Sequence, residues 1–270
     1  MTTVSGEHSS SEYARAGLVG VLPPQANTTV EAELGVLLPP DVGMIVSRLV
    51  CDDPDSRARL VGYLRDLTRA LQAFDQARPD VVLFACTGSS YLAPPEAERV
   101  DSEQAAFSAV GGSIISAAAA VRAALDALDA ERIALVSPYP AWLTEACVEF
   151  WRRNGRRVVA VQSPAGDRSD TRRIYALRSA DALAAVQSLN APAAQAVVIS
   201  GTGMPSLAAI ARATMEQPLL CSNLCLAWAA VARLGGAALD RASLDPWLAP
   251  GAPWRDRLAA RFPSLAATPR

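Results

Sequence analysis

The chain of 270 residues carries 25 basic and 27 acidic side chains, which gives a formal net charge of −2. This balance leaves no basic stripe for nucleic acid and no polybasic patch for a membrane surface, so neither partner is expected. Half of the residues are hydrophobic and few are aromatic, yet no uninterrupted apolar stretch is long enough to span a membrane. The composition therefore favours an α/β protein with a buried sheet.

The cysteines and the single histidine restrict the chemistry available to the chain. Five cysteines lack the close spacing of a metal site, and residues 1–16 are predicted to form a disordered tail instead of a signal peptide. Reduced thiols in the cytoplasm are therefore expected. Because the only histidine, His8, lies in this tail, serine–histidine and cysteine–histidine catalysis and most zinc sites are excluded. The glycine loops match neither a dinucleotide fingerprint nor a P-loop, so neither a metal nor a cofactor is expected.

Short apolar runs rich in β-branched residues alternate with helical patterns along the chain. Such alternation predicts right-handed βαβ units and parallel sheets covered by helices on both faces. In chain order, strands are predicted at 18–22, 44–49, 81–85, 133–137, 158–162, 196–200 and 219–221, with a small-residue strand near 113. Helices are predicted near 28–37, 56–77, 115–129, 141–153, 179–189, 205–214 and 224–234.

The sequence repeats itself at one offset. LVGV at 18–21 resembles IALV at 133–136, and VVLFACTG at 81–88 resembles AVVISGTG at 196–203, both 115 residues apart. The repeat predicts two similar lobes, each a parallel sheet flanked by helices, related by a pseudo-twofold axis. We assign residues 17–114 with 222–270 to the first lobe and 115–221 to the second. Ligands of open parallel sheets bind beyond the carboxyl ends of the strands, so the site is expected in the cleft between the lobes.

Cys86 is the strongest candidate for chemistry. It ends a predicted strand and enters a loop in which the N–H group of Gly88 and the hydroxyls of Thr87 and Ser89 are suited to hold an anion. Such a field would stabilise a thiolate and make Cys86 a nucleophile or proton carrier without histidine. The alternative is a buried cysteine that simply ends a strand. The facing loop at 201–204, which the repeat places opposite, favours the functional interpretation.

Three other loop residues lie near the expected cleft. Asn27 either caps the helix that follows it or extends its amide into the cleft. Tyr139, in the corresponding loop of the second lobe, is either a packing aromatic or a hydrogen-bond donor to substrate. Asn223 follows the last predicted strand and has the pattern of a helix cap.

Several of these segments together resemble a known family. The segments at 23–31, 85–89, 137–139 and 222–228 resemble maleate cis-trans isomerases, which form one superfamily with arylmalonate decarboxylases and aspartate/glutamate racemases. The resemblance covers roughly residues 17–236. It implies a two-lobed, aspartate/glutamate racemase-like α/β fold with cofactor-independent chemistry on a small carboxylate or dicarboxylate at the lobe interface. A homo-oligomer is also expected.

The resemblance also implies roles for individual residues. Cys86 matches the first of two cysteines that act on opposite faces of the substrate in the isomerases and racemases, whereas the second position falls on Gly201. Water or Cys221 would have to replace the missing thiol, and racemase activity is expected to be negligible. Asp170 lies roughly where the isomerases have an asparagine that touches substrate. The residues expected to bind substrate are Asn27, Thr87, Gly88, Ser89, Tyr139, Gly201, Thr202, Gly203 and Asn223.

Three functions remain open from the sequence. The first is a maleate isomerase-like enzyme in which Cys86 adds to a C=C bond, allows rotation about the resulting single bond, and leaves. The second is an arylmalonate-type decarboxylase with one cysteine, in which Cys86 protonates an enediolate on one face. The third is a non-catalytic carboxylate-binding relative that lost its chemistry with the second cysteine.

Overall fold

The computed structural model describes residues 12–92, 113–166 and 169–266, and His8 with most of the predicted tail lies outside them. Two parallel sheets of four strands each form the framework. The first has the order β2-β1-β3-β4 and the second the order β6-β5-β7-β8, so the two lobes share one topology. The strands are β1 (Gly17–Leu22), β2 (Val42–Val46), β3 (Val81–Phe84), β4 (Ser113–Ser116), β5 (Arg132–Val136), β6 (Arg157–Gln162), β7 (Ala196–Ile199) and β8 (Leu219–Cys221).

Helices flank both sheets. They are α1 (Thr29–Leu37), α2 (Ser56–Arg65), α3 (Leu67–Gln72), α4 (Thr87–Leu92), α5 (Ala117–Ala127), α6 (Ala141–Arg153), α7 (Ser179–Gln187), α8 (Leu207–Arg212), α9 (Ser222–Leu234), α10 (Arg241–Leu248), α11 (Pro253–Arg261) and α12 (Pro263–Ala266), with a 3-10 helix at Thr171–Ala176. None of the helices in the described parts of the chain is long and apolar enough to cross a membrane.

The structure differs from the predicted elements at three places. The helix predicted at 56–77 is divided at Asp66, which ends α2 and begins α3. The loop predicted after Cys86 is helix α4. The sequence pattern also misses α10 to α12. Only a few of their side chains, such as Leu244, Trp254 and Leu258, are buried, so an apolar periodicity does not mark these helices in the sequence.

The two central strands of each sheet lie in the apolar core, whereas one edge strand of each sheet is only half-buried. Every residue of β3 and β7 is buried, while β2 and β6 are partly exposed along their length. The pattern agrees with parallel strands that are covered on both faces in the middle of a sheet. The predicted boundary between lobes, 114/115, falls inside β4, which belongs wholly to the first sheet.

The hydrogen-bonding register corrects one half of the predicted repeat. Phe84 pairs with Leu22 in the first sheet, and Ile199 pairs with Val136 in the second. The strands β3 and β7 are therefore related by 115 residues as predicted, but β1 and β5 are related by 114. The identities between 18–21 and 133–136 led to an alignment out by one residue, because apolar strands buried on both faces lack the alternation that fixes register. Cys86 and Gly201 remain equivalent, each two residues beyond its strand.

A buried carboxylate joins the two lobes. Glu33, on α1, accepts hydrogen bonds from the backbone N–H groups of Ser206 at 2.5 Å and Leu207 at 3.0 Å, at the start of α8. Its second oxygen accepts from the Asn223 side chain at 2.7 Å. Burial raises the pKa of Glu33, and these three hydrogen bonds to its carboxylate oppose that rise. One acidic side chain thus holds α1, α8 and α9 together.

Removal of this carboxylate should destabilise the protein strongly. We expect Glu33→Ala to lower the free energy of unfolding by about 3 kcal/mol, because three buried donors lose their acceptor. Glu33→Gln keeps one carbonyl oxygen and should lose less. Urea denaturation followed by circular dichroism measures both changes.

Glu31 provides the matched control on the same helix. Its carboxylate pairs with Arg48 and both side chains are about one-third exposed. Glu31→Ala should therefore cost at most about 1 kcal/mol. An equal loss of stability in the two alanine variants would contradict the role of Glu33.

Candidate active site

A cavity opens where the carboxyl ends of the central strands of the two sheets face each other. Its space, including the open mouth, is about 580 Å³. Loops from both lobes line it, as the repeat predicts. The predicted site residues in its wall are Asn27, Cys86, Thr87, Gly88, Tyr139, Gly201, Thr202 and Gly203.

Cys86 lies between the end of β3 and the start of α4, and only 3% of it is exposed. Its sulfur is 3.1 Å from Ser89 Oγ, and the backbone N–H groups of Gly88 and Ser89 also interact with it. The Ser89 hydroxyl donates to the carbonyl of Leu60 at 2.7 Å. The neutral thiol therefore donates to Ser89 Oγ, and on ionisation the Ser89 proton can turn from Leu60 to the sulfur.

The protonation state of Cys86 differs from the prediction. Burial raises the pKa of the thiol, and the hydrogen bonds from Ser89 and Gly88 only partly offset this effect. Gly88 lies within helix α4 and has no left-handed backbone, so its N–H group belongs to the first turn of a helix instead of a loop. The expectation of a stabilised thiolate is therefore wrong for the free protein, because removal from water outweighs the helical N–H groups.

Gly201 occupies the equivalent position in the second lobe and has no room for a side chain. Its φ of +90° lies in the region that favours glycine. A Cβ atom built on it would be 3.0 Å from Tyr139 Oη and 3.4 Å from Pro138 Cγ. The space beside Gly201 is thus filled by the Tyr139 hydroxyl.

Tyr139 both packs and lines the cavity. Its ring meets the ring of Tyr91 edge-on, with centroids 6.0 Å apart. Its hydroxyl accepts a hydrogen bond from Ser200 at 3.5 Å and interacts with the Thr87 side chain. Burial raises the pKa of Tyr139, so the phenol is protonated at neutral pH.

Asn27 and Thr202 tie the loops of the two lobes together at the cavity. Asn27 Oδ1 accepts from the N–H groups of Thr29 at 2.9 Å and Val30 at 3.3 Å, which caps α1. Its amide nitrogen donates to Thr202 Oγ1 at 3.2 Å, and Thr202 donates to the carbonyl of Ala85 at 2.7 Å. Both interpretations of Asn27 therefore apply, since it caps a helix and also lines the cavity.

Three predicted participants do not line the cavity. Ser89 lies behind Cys86 and binds Leu60. Asn223 donates to Glu33 and, at 3.0 Å, to the carbonyl of Thr202, so it supports the loop that carries the site. Cys221 is fully buried, and its sulfur accepts from the N–H of Leu224 at the start of α9. The polar groups of these residues bind other parts of the protein instead of facing the cavity, and their spacing in the sequence does not predict those partners.

Two arginines in the cavity wall were not predicted. Arg59, on α2, is 3% exposed, and Arg172 lies in the 3-10 helix. Both bind Asp170, with Arg59 Nη2 at 3.2 Å and Arg172 Nη2 at 2.6 Å. The Arg172 side chain and backbone, with Arg59 nearby, hold the pKa of Asp170 well below its usual range. Asp170 thus binds two arginines, where the resemblance placed a residue that touches substrate. Its pairing with Arg172, two residues further along the chain, could have been predicted from the sequence.

Apart from Gln25 and Thr171, the rest of the wall is apolar and aromatic, and no acidic side chain of the described residues lines it. Gly203 permits this packing, because a Cβ there would lie 2.7 Å from the Tyr175 ring. No group of histidine, cysteine or acidic residues suited to a metal occurs within 12–92, 113–166 and 169–266. A thiol, a phenol and two cations beside an apolar wall suit acid–base or nucleophilic chemistry on an anion. The unpredicted apolar and aromatic residues are Leu60, Tyr63, Leu143, Ile174 and Tyr175.

Comparisons with known proteins agree with this architecture. A family model for arylmalonate decarboxylase matches residues 103–243. Maleate isomerase of Nocardia farcinica (strain IFM 10152) is 31% identical over 209 residues, 73% of this chain and 81% of the relative. Maleate isomerase Iso from Pseudomonas putida S16, in a variant solved with maleate, has a TM-score of 0.73 at 25% identity, covering 83% of this chain and 96% of that one. A Nocardia farcinica maleate cis-trans isomerase mutant with a covalently bound succinylcysteine intermediate has a TM-score of 0.69 at 27% identity, covering 82% and 93%.

The reactivity of Cys86 should depend on pH in a defined direction. Because burial raises its pKa, iodoacetamide labelling of Cys86 should accelerate about tenfold per pH unit and should not level off below about pH 8.5. Mass spectrometry of the Cys86 peptide at a series of pH values measures the rate. Ser89→Ala should move the curve to still higher pH, because the thiolate loses a donor. A labelling rate that levels off near neutral pH would contradict the conclusion that burial raises the pKa of Cys86.

Proposed function

Because the chain belongs to the arylmalonate decarboxylase family and is similar over most of its length to maleate isomerases, we propose that it is a cofactor-independent cis–trans isomerase of a small dicarboxylate. The observation that carries the proposal is the Cys86 thiol in a cavity with two arginines and no acidic side chain in its described wall. A covalently bound succinylcysteine in the Nocardia farcinica isomerase supports a thiol as the nucleophile.

The reaction begins at Cys86. Its thiolate adds to one alkene carbon of the bound dicarboxylate, and the π electrons move to the neighbouring carbon and its carboxylate. The bond between the two carbons is then single, so the carboxylate-bearing end can rotate. Expulsion of the thiolate restores the double bond in the trans configuration. The N–H groups of Gly88 and Ser89 favour the thiolate whenever it is released.

The charge of the cavity favours an anionic substrate. Arg59 and Arg172 contribute two positive charges, and Asp170 neutralises one of them. Gly203 and the amide of Asn27 provide donors at the lobe interface near Cys86. The excess cation and these donors would hold carboxylate oxygens and the charge that develops as sulfur adds.

The proposal predicts conversion of maleate to fumarate without added metal or cofactor. We expect Cys86→Ala to reduce turnover by at least about 1,000-fold, since no other thiol lines the described wall of the cavity. Loss of maleate absorbance and proton NMR of fumarate measure the reaction. Intact mass spectrometry of enzyme quenched during turnover should reveal an adduct of dicarboxylate mass on Cys86.

Cys51→Ala is the matched control. Cys51 is half-buried and lies outside the described cavity wall, so its removal should leave turnover unchanged. Full isomerase activity in Cys86→Ala would refute the mechanism. Tight binding of maleate without conversion would favour the alternative of a non-catalytic relative.

The second candidate is a decarboxylase of substituted malonates. The wall contains the apolar side chains of Leu60, Leu143 and Ile174 with the rings of Tyr63 and Tyr175, and a bare four-carbon dicarboxylate has no substituent to pack against them. An aryl or alkyl substituent would pack there, while the loops after Cys86 and at 201–204 hold the carboxylates. After loss of carbon dioxide, Cys86 would protonate the enediolate from one side.

Parallel assays separate the two candidates. Carbon dioxide release from phenylmalonate that exceeds maleate isomerisation in kcat/KM by more than about tenfold would favour the decarboxylase. Leu143→Ala should then raise KM for the aryl substrate and leave that for maleate nearly unchanged. The opposite ratio, with no carbon dioxide released, favours the isomerase.

A further inference from the structure

We propose that Tyr139 supplies and later removes the proton that the missing second cysteine would handle. This inference rests on the proposed isomerase function. It assigns an acid–base role to a side chain that the sequence marked only as a packing group or substrate donor.

The position of Gly201 carries the inference. The repeated strands make Gly201 equivalent to Cys86, so a side chain there would face the substrate from the second lobe. The Tyr139 hydroxyl fills that place, because a Cβ on Gly201 would lie 3.0 Å from its oxygen and 3.3 Å from Cζ. A proton donor is therefore present where the glycine lacks one.

The hydrogen bonds behind Tyr139 leave its proton available to the cavity. Ser200 Oγ donates to Tyr139 Oη, and the Tyr91 hydroxyl is 2.8 Å from Ser200 Oγ. Either hydroxyl of the Tyr91–Ser200 pair can be the donor, and in the arrangement in which Ser200 gives its proton to Tyr139, Tyr91 donates to Ser200. The proton of Tyr139 then points toward Thr87 and the cavity. Donation along such a chain strengthens the last donor.

The other candidates for the second proton carrier are less suited. Cys221 is fully buried at the start of α9 and lies outside the described cavity wall. Cys147 is also fully buried, and its sulfur is 4.0 Å from Ser200 Oγ, behind the chain of hydroxyls. Neither thiol can touch a substrate that contacts Cys86.

The proposed steps balance. After the Cys86 proton has left to solvent water, the thiolate forms a C–S bond at one alkene carbon while the phenol proton of Tyr139 transfers to the other, which leaves a phenolate. After rotation about the new single bond, the phenolate takes a proton from that carbon, the double bond re-forms, and the thiolate leaves. Burial disfavours a lasting phenolate, which makes it a strong base for the second transfer.

One consequence distinguishes this route from addition without protonation. If the proton arrives opposite the sulfur and a proton must also leave opposite the sulfur, a rotation of about 120° brings the original hydrogen to Tyr139. The trans product then keeps the proton that Tyr139 delivered, and loses the hydrogen that the same carbon carried in maleate. Fumarate formed in D₂O should therefore carry one deuterium, whereas addition, rotation and expulsion alone would carry none.

The experiment is maleate turnover in D₂O by the full chain, with proton NMR and mass spectrometry of fumarate during initial rates. We expect one deuterium per fumarate in the unaltered protein. Tyr139→Phe keeps the ring and removes the hydroxyl, so it should lower turnover about 100-fold and abolish deuterium in any fumarate that forms. Ser200→Ala retains the phenol, so its fumarate should remain deuterated even where the rate falls.

The outcomes separate this inference from the function on which it rests. Fumarate without deuterium from the unaltered protein would leave the isomerase standing and overturn the role of Tyr139. Deuterated fumarate from Tyr139→Phe would also overturn the role of Tyr139 and leave the isomerase standing, because water would then be the proton donor. Failure to form fumarate at all would refute the isomerase itself. Tyr175→Phe, a second tyrosine of the wall, is the control and should form deuterated fumarate.

Discussion

The buried carboxylate of Glu33 is the interaction on which the site depends. It receives two backbone N–H groups at the start of α8 and the side chain of Asn223, and Asn223 in turn donates to the carbonyl of Thr202. The loop at 201–204 is therefore held from behind by a residue of the first lobe. Together with the bonds of Thr202 to Asn27 and to the carbonyl of Ala85, this contact holds Gly201 and Thr202 in position relative to Cys86. The geometry of the reacting groups follows from a contact that substrate does not touch.

Burial sets the chemistry of the two groups proposed to react. The same removal from water raises the pKa of Cys86 and of Tyr139, so both are protonated in the free protein. A thiol that resists ionisation is protected from oxidation and alkylation in the free protein. Turnover therefore requires the proton of Cys86 to leave first. The Ser89 hydroxyl, 3.1 Å from the sulfur, can then donate a hydrogen bond to the thiolate.

The sequence predicted the framework well and the polar details poorly. Parallel strands, the paired lobes and the position of Cys86 follow from apolar runs and a repeat, because these depend on local pattern. The strand β1 was aligned one residue off, since an all-apolar strand carries no mark of its register. Asn223 was assigned to substrate because its partner, Glu33, lies 190 residues away. Arg59 was missed for the same reason, since its contact with Asp170 spans 111 residues.

The packing of α9 makes the two halves of the chain depend on each other. This helix follows the last strand of the second sheet, yet it lies against β3, β4 and α1 of the first, while α5 reaches β8. A fragment that ended near the middle of the chain would leave β3 and β4 uncovered, and so would expose an apolar surface to aggregation. Each half of the chain therefore depends on a helix of the other to cover its sheet, so the two lobes should unfold together and not one at a time.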